Sequence, residues 1–178
     1  VQSGKIDAVI AGMSITSDRK TAVNFSDPYY YADIVILTMN DSKYASAKSL
    51  NDLSGAKVSS QLNTVWYTVL DQIPGATVDT AIDTVPTLLV SLTSGKLDAV
   101  TVDLPTAMAA VYSNADIKMI KLEGTNGFNV SEEDTNLGIA VKKENPTVLD
   151  GINKALAGIS DADRAKLMQD AIANQPLA

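Results

Sequence analysis

Short apolar segments recur along the chain, and most are separated by stretches in which apolar residues have helical spacing. The apolar segments predict β-strands at 6–11, 33–38, 56–60, 77–81, 97–103, 117–122 and 137–141. The intervening stretches predict helices at 18–22, 65–72, 85–95, 104–113, 146–156 and 160–173, with a helical turn at 49–53 and a polar loop at 124–134. Because strands and helices alternate, the pattern predicts an α/β fold with largely parallel sheets.

Residues that begin helices support this pattern. Thr16 or Ser17 is suited to cap the helix at 18–22, and Asn145 precedes the helix at 146–156. Ser160 and Asp163 have the spacing of a capping box at the start of the last helix. In contrast, the strand at 6–11 has apolar residues that do not alternate strictly with polar ones. We therefore expect both of its faces to be covered, as in a parallel sheet.

One seven-residue motif occurs twice. Ser3–Val9 and Ser94–Val100 differ only by Ile against Leu at the fourth position. One interpretation is a common motif of helix stop plus strand, used twice. The other is a pair of similar α/β lobes, each using the end of an equivalent strand. Because ligands bind outside the carboxyl ends of strands in open α/β sheets, the second interpretation gives Gly12–Ser14 and Asp103 equivalent positions.

Composition narrows the chemistry. The 178 residues suffice for one domain or two small lobes, and the net charge of −7 without basic clusters argues against nucleic-acid binding. Absence of both Cys and His excludes Ser-His-Asp and Cys-His nucleophiles and the usual zinc sites. We expect no cofactor.

A set of polar residues matches the two charged groups of an α-amino acid. Arg19 can donate two parallel hydrogen bonds to a carboxylate, and Thr64 precedes an apolar helix whose N-terminus favours an anion. Ser14, the Gly12 carbonyl and Asp103 are acceptors suited to an ammonium group. Each residue alone also has an ordinary reading: a solvated helix residue, a turn residue or a helix cap. The hypothesis depends on their joint occurrence.

Five segments of the chain are distinctive, DAVIAGMSITSDR, FSDPYY, SLNDLSGAKV, QLNT and LTSGKLDAV at 7–19, 25–30, 49–58, 61–64 and 92–100, and an Asp follows at 103. In these segments the chain resembles the bacterial solute-binding proteins of polar amino acid ABC transporters. The resemblance implies a type II periplasmic-binding-protein fold in which two α/β lobes, joined by two crossing strands, close around the ligand. Lobe 1 would comprise 1–39 and 124–178, and lobe 2 would comprise 40–123. The hinges would lie near 37–39 and 124–130.

The resemblance also implies residue roles. Arg19 and Thr64 would hold the ligand carboxylate, and Gly12, Ser14 and Asp103 would hold its ammonium group. The complete set of expected ligand-binding residues is Gly12, Met13, Ser14, Arg19, Gln61, Asn63, Thr64 and Asp103. Gln61 could meet the ligand side chain, and Asn63 replaces a glycine of the family but tolerates left-handed backbone.

Nearby aromatic residues have several possible roles. Tyr29 and Tyr30 match an aromatic pair of the family that mainly packs the lobe, so packing is the favoured interpretation. Trp66 follows the Thr64 turn and could either reach the ligand or pack inside lobe 2.

The implied function is import of a polar or charged amino acid of the glutamine, arginine, lysine or histidine class, with delivery to the membrane permease of an ABC transporter. The protein would be extracellular or periplasmic, with its signal peptide removed and with a lipid or membrane anchor in its full-length form. The family normally has two more strand–helix units before Val1, so lobe 1 is expected to be incomplete. Either the chain is truncated, or a domain-swapped or completing chain supplies the missing units.

Two other functions remain open at this point. One is the sensor domain of a receptor, which would continue into a membrane helix and a signalling module. The other is a dehydratase- or lyase-like enzyme using the carboxylates of Glu123, Glu132 or Glu133, a reading that the absence of His weakens.

Overall fold

The computed structural model describes Val1 and residues 3–174 and divides into two compact units. Unit 1 consists of Val1–Ala32 together with the segment that begins at Ser131, and unit 2 is Asp33–Val130. None of the helices in the described residues is long and apolar enough to cross a bilayer.

Strands and helices follow one another in the predicted manner, and the α/β prediction is confirmed. The strands are β1 Ala8–Val9, β2 Asn24–Phe25, β3 Tyr30–Tyr31, β4 Ile34–Met39, β5 Lys57–Ser60, β6 Thr77–Val78, β7 Ala99–Asp103, β8 Ile117–Ile120, β9 Asn136–Leu137 and β10 Ala140–Val141. The helices are α1 Ser17–Ala22, α2 Val65–Thr68, α3 Val85–Thr93, α4 Leu104–Ser113, α5 Glu132–Thr135, α6 Pro146–Leu156 and α7 Asp161–Asn174. Short 3-10 turns occupy Leu50–Leu53, Val69–Gln72 and Gly124–Asn126.

Unit 2 is built on one five-stranded sheet with the order β6-β5-β7-β4-β8. β5 pairs in parallel with β6 and β7, whereas β4 is antiparallel to both β7 and β8. Four strands therefore run in one direction, and β4 alone runs in the other. The largely parallel sheet predicted from alternation holds for strand direction, but the insertion of β4 makes half of the pairings antiparallel.

The core of unit 2 covers both faces of this sheet. Val35 and Leu37 of β4 belong to a cluster that includes residues of α3 and α4, whereas Ile36 between them belongs to a second cluster with Leu53 and Leu70. Successive side chains of a strand point to opposite faces, so a continuous apolar strand needs both faces covered. The apolar runs of β4 and β7 satisfy this requirement.

Unit 1 is built on short antiparallel pairings. One sheet has the order β1-β10-β2, and β3 pairs with β9. The prediction of parallel sheets is wrong for this unit. Alternation along the chain predicts direction only for strands joined by a short crossover, and β10 comes from a segment far from β1 and β2 in sequence.

The first predicted strand illustrates the difference. Instead of 6–11, the strand covers only Ala8–Val9, and Ile6 and Ile10 beside it are 51 % and 67 % exposed. The prediction that both faces are covered is therefore wrong here. Within the described residues β1 pairs only with β10, and the exposed Ile6 and Ile10 show that its surroundings are not packed on both faces.

Three further segments depart from the predicted elements. The predicted strand at 137–141 is split at Gly138, because β9 pairs with β3 while β10 pairs with β1 and β2. The predicted helix at 65–72 continues beyond α2 as a 3-10 turn. The predicted loop at 124–134 contains the start of α5, which Ser131 and Asp134 begin with a reciprocal capping box.

Candidate functional site

Gly12 opens the candidate segment of unit 1 in a left-handed conformation. Its φ is +62°, and an added Cβ would meet nothing within 4 Å, so glycine is favoured here by backbone conformation rather than by space. The Gly12 N–H donates to the hydroxyl of Tyr29 at 3.1 Å. Tyr29 therefore supports the candidate segment directly, a role that the sequence did not indicate.

The next residues are fixed to β9 through their backbones. Met13 accepts a hydrogen bond from the Gly138 N–H at 3.0 Å, and Ile15 donates to the Asn136 carbonyl at 2.9 Å. Ser14 between them forms an antiparallel bridge with Leu137 and is 4 % exposed. The backbone on both sides of Ser14 is thus held by a segment more than a hundred residues away in sequence.

Arg19 lies on α1 and points back to this backbone. Of the two predicted cap residues, Thr16 and Ser17, Thr16 is the N-cap of α1, since its hydroxyl accepts from the Arg19 N–H at 3.4 Å. The Arg19 Nη1 donates to the Ser14 carbonyl at 3.0 Å. A guanidinium has five N–H donors, so this orienting bond leaves donors for a carboxylate. Arg19 is half-buried, which favours a fixed geometry.

Glu133 of α5 accepts hydrogen bonds from two side chains of α1. The Glu133 carboxylate accepts from the Ser17 hydroxyl at 2.7 Å and from the Lys20 Nζ at 2.6 Å. These hydrogen bonds, first from Lys20 and then from Ser17, hold the pKa of Glu133 below its ordinary value. In the sequence Glu133 is one of three candidate enzymatic carboxylates, but the structure places it in an ion pair.

The predicted turn of unit 2 is present at Gln61–Thr64. Asn63 has a φ of +61°, the left-handed conformation that asparagine tolerates. The Thr64 hydroxyl donates to the Gln61 carbonyl at 2.7 Å, and the Gln61 Nε2 donates to the Asp83 carbonyl at 3.2 Å. The side chains of Gln61 and Thr64 therefore stabilise the turn, and Thr64 is the N-cap of α2 without a side-chain cap bond.

Asp103 ends β7 and caps α4. Its Oδ1 accepts from the Thr106 N–H, and its Oδ2 accepts from the Thr106 hydroxyl, both at 2.9 Å. The ordinary reading of Asp103 as a helix cap is therefore correct. An ionised carboxylate has about four lone-pair sites, so capping is compatible with binding a further donor.

Buried hydroxyls join the end of β5 to β7, and β7 to α2. The Ser60 hydroxyl donates to the Thr101 carbonyl at 2.6 Å, and the Thr101 hydroxyl donates to the Trp66 carbonyl at 2.7 Å. Since β5 and β7 are parallel neighbours, Gln61 and Asp103 follow their carboxyl ends at the same edge. Trp66 is 6 % exposed, which favours packing inside unit 2 over a ligand contact.

The expected ligand-binding residues therefore form two local groups. Gly12, Met13, Ser14 and Arg19 come together in unit 1, and Gln61, Asn63, Thr64 and Asp103 come together in unit 2. Among the described residues no cluster of three acidic side chains is suited to a metal ion. The arrangement offers hydrogen-bond donors and acceptors.

The model for bacterial extracellular solute-binding proteins, family 3, matches residues 1–172. The chain belongs to this family. It is 28 % identical to ABC transporter arginine-binding protein 1 of Escherichia coli K12 over 155 residues, which are 87 % of the chain and 61 % of that protein. It is 34 % identical to the glutamine-binding protein GlnH of Bacillus subtilis over 158 residues, which are 88 % of the chain and 54 % of that protein. The chain thus spans between about half and three-fifths of the length of these curated relatives.

Solved structures show the same fold. An ancestral arginine-binding protein bound to glutamine is 37 % identical to the chain, with a TM-score of 0.75. The likeness covers 95 % of this chain and 72 % of that one. The expected type II periplasmic-binding-protein fold is confirmed, as is the expected membership of the bacterial solute-binding proteins.

Proposed function

We propose that the chain is the substrate-binding component of an ABC importer for a polar or charged amino acid. The observation that carries the proposal is the Arg19 guanidinium, which the Ser14 carbonyl orients at 3.0 Å while no other side-chain bond of Arg19 forms within the described residues. A carboxylate is the natural partner of such a fork of donors. The family to which the chain belongs supports this reading, because it consists of solute-binding proteins.

Each group of residues has a role in the proposal. In unit 1 Arg19 binds the ligand carboxylate, and the Gly12 carbonyl and Ser14 accept from its ammonium group, with Met13 beside them. In unit 2 Thr64 contributes to the carboxylate and Asp103 to the ammonium group. Gln61 and Asn63 shape the turn that presents Thr64. The cap bonds of Asp103 favour this use, because they fix the carboxylate before a ligand arrives.

The ligand class follows from the relatives. Two of them are named arginine-binding and glutamine-binding proteins. We propose a ligand of the glutamine, arginine, lysine or histidine class, which adds the other basic amino acids to these two. The acidic balance of the chain, with a net charge of −7, favours the cationic members through long-range attraction. Members of the family are extracellular solute-binding proteins, and we propose an extracellular or periplasmic location for this protein. We also propose a lipid or membrane anchor and delivery of the ligand to a membrane permease.

The proposed activity is binding without chemical conversion. Two carboxylates that the enzymatic reading would use are engaged in ion pairs, Glu133 with Lys20 and Glu123 with Lys121. Incubation with a bound amino acid should return the ligand unchanged, as followed by proton NMR of the solution.

Calorimetric titration of the chain with the twenty amino acids tests the proposal. We expect at least one polar or charged amino acid to bind, and Arg19→Met to weaken it about thirtyfold or more, since it removes one partner of a charged hydrogen-bonded pair. Lys118→Met, which removes an equal charge from an exposed position on β8, is the matched control and should bind as the wild type does. Absence of binding by the folded wild-type chain, or equal affinity of Arg19→Met, would contradict the proposal.

A further inference from the structure

The helix that carries Arg19 depends on contacts outside itself. α1 has six residues and no buried side chain. Helices of this length are unstable in isolation, so their order must come from tertiary contacts. The Thr16 cap and the bond from Thr21 to the Asp18 carbonyl at 2.6 Å are local, and they do not fix the helix to the rest of unit 1.

Two side-chain hydrogen bonds from α1 reach a distant segment, and both end on Glu133. Their donors, Ser17 and Lys20, are three positions apart and hence neighbours on one helix face. Arg19 lies between them in sequence. One carboxylate therefore holds one face of α1 at two points, which restricts the rotation of the helix about its axis and with it the direction of the Arg19 side chain.

Glu133 is itself held on the segment that supports Ser14. The capping box of Ser131 and Asp134 fixes the start of α5, and β9 follows directly. β9 then binds the backbone around Ser14 through the bridge at Leu137. The short segment at 131–138 therefore has two roles. It contains the Glu133 carboxylate that holds α1, and it binds the backbone of Ser14, whose carbonyl orients Arg19.

We propose that Glu133 is a positioning residue for Arg19, which sets ligand affinity by fixing α1 against this segment. The proposal rests on the proposed function, because Arg19 is assigned there to the ligand carboxylate. Glu133 does not bind the ligand itself; it acts through Ser17 and Lys20.

Electrostatics and positioning predict opposite changes in ligand affinity when the Glu133 carboxylate is removed. Glu133→Gln deletes a negative charge near Arg19, and this change alone would strengthen attraction for a carboxylate. Loss of positioning would weaken binding, because the guanidinium is no longer held in its binding direction. Glu132→Gln is the matched control, since it removes the same charge from the adjacent, exposed residue of α5.

Titration calorimetry should compare the tightest-binding amino acid with its carboxamide, which lacks the charged carboxylate. We expect Glu133→Gln to bind the amino acid about two- to fivefold more weakly, in line with one exposed charged contact, and to bind the carboxamide with unchanged affinity. Glu132→Gln should bind the amino acid as tightly as the wild type or slightly more tightly. Equal or tighter binding of the amino acid by Glu133→Gln would overturn the proposal.

Amide hydrogen exchange gives a readout that does not require ligand. The amides of α1 should exchange faster in Glu133→Gln than in the wild type and Glu132→Gln, while those of β7 in unit 2 remain unchanged. Equal exchange of the α1 amides in all three proteins would overturn the positioning role. A wild-type chain that binds no amino acid would instead overturn the proposed function, and hydrogen exchange would still decide whether Glu133 holds α1.

Discussion

The repeated motif folds in the same way in both units at its start. Gly4 and Gly95 both have a φ of +71°, and each donates its N–H at 3.0 Å to the carbonyl three residues earlier. The strands begin at equivalent residues, Ala8 in β1 and Ala99 in β7. Each strand also has an antiparallel neighbour, β10 for β1 and β4 for β7.

The surroundings of the two copies differ. β7 has a second neighbour, β5, and the Asp98 carboxylate accepts from the Lys57 N–H at 2.8 Å where β5 begins. Leu97 is 2 % exposed, whereas Ile6, its counterpart in unit 1, is 51 % exposed. The local sequence therefore determines the turn and the start of the strand, whereas the burial of Leu97 comes from the cluster that it forms with residues of β4, α3 and α4.

The largest expected difference between the copies concerns these two apolar side chains. Leu97→Ala should destabilise unit 2 by about 2–5 kcal/mol, because it opens a cavity in a packed core. Ile6→Ala should change stability by about 0.5 kcal/mol or less, because the side chain is already exposed. Urea unfolding followed by circular dichroism measures both variants, and the fluorescence of Trp66 reports on unit 2. Equal destabilisation by the two substitutions would contradict the assigned burial.

The two glycines should instead respond alike, with an intermediate effect. Gly4→Ala and Gly95→Ala each force a residue with a Cβ into left-handed backbone, at a cost of about 1–2 kcal/mol. Neither position has an atom within 4 Å of an added Cβ, so backbone conformation is the common cause. Gly151→Ala in α6, where φ is ordinary and space is open, is the control and should not destabilise. A large effect at only one of the two glycines would show that the turns are not equivalent.

The sequence predicts local features well and long-range ones poorly. α4 and α6 have the predicted boundaries, because a cap residue and a proline in the first turn define each start locally. The left-handed Asn63 follows from its side chain in the same way. The antiparallel place of β10 could not be predicted, since its partners lie far away in sequence.

In the candidate site, too, local features could be predicted from the sequence and long-range contacts could not. Thr16 as the cap before Arg19 was among the local alternatives, and the residues around Gly12 follow from a recognisable motif. The contacts of Tyr29 with Gly12 and of Glu133 with α1 join residues that no local pattern connects. Charge pairing was the only available signal for Glu133, and the chain offers many lysines as partners.

The smallest expected effect is a pH dependence that both units share. Hydrogen bonds, from Lys20 and then Ser17 to Glu133 and from Lys57 and then Thr80 to Asp79, hold the pKa of each carboxyl below its ordinary value, 4.5 for Glu133 and 3.8 for Asp79. A lowered folded-state pKa means that the ion pair stabilises the fold above the ordinary pKa and loses this contribution as pH falls through the folded-state pKa. Carboxyl NMR titration should therefore find both midpoints below these ordinary values, and added salt should move them upward by screening. Lys20→Met should raise the midpoint of Glu133 and leave that of Asp79 in place, and Lys57→Met should do the reverse. Both carboxyls are exposed enough for salt to screen their ion pairs. A midpoint that does not change with salt in only one of the two units would show that its ion pair is shielded from solvent, unlike that of the other unit.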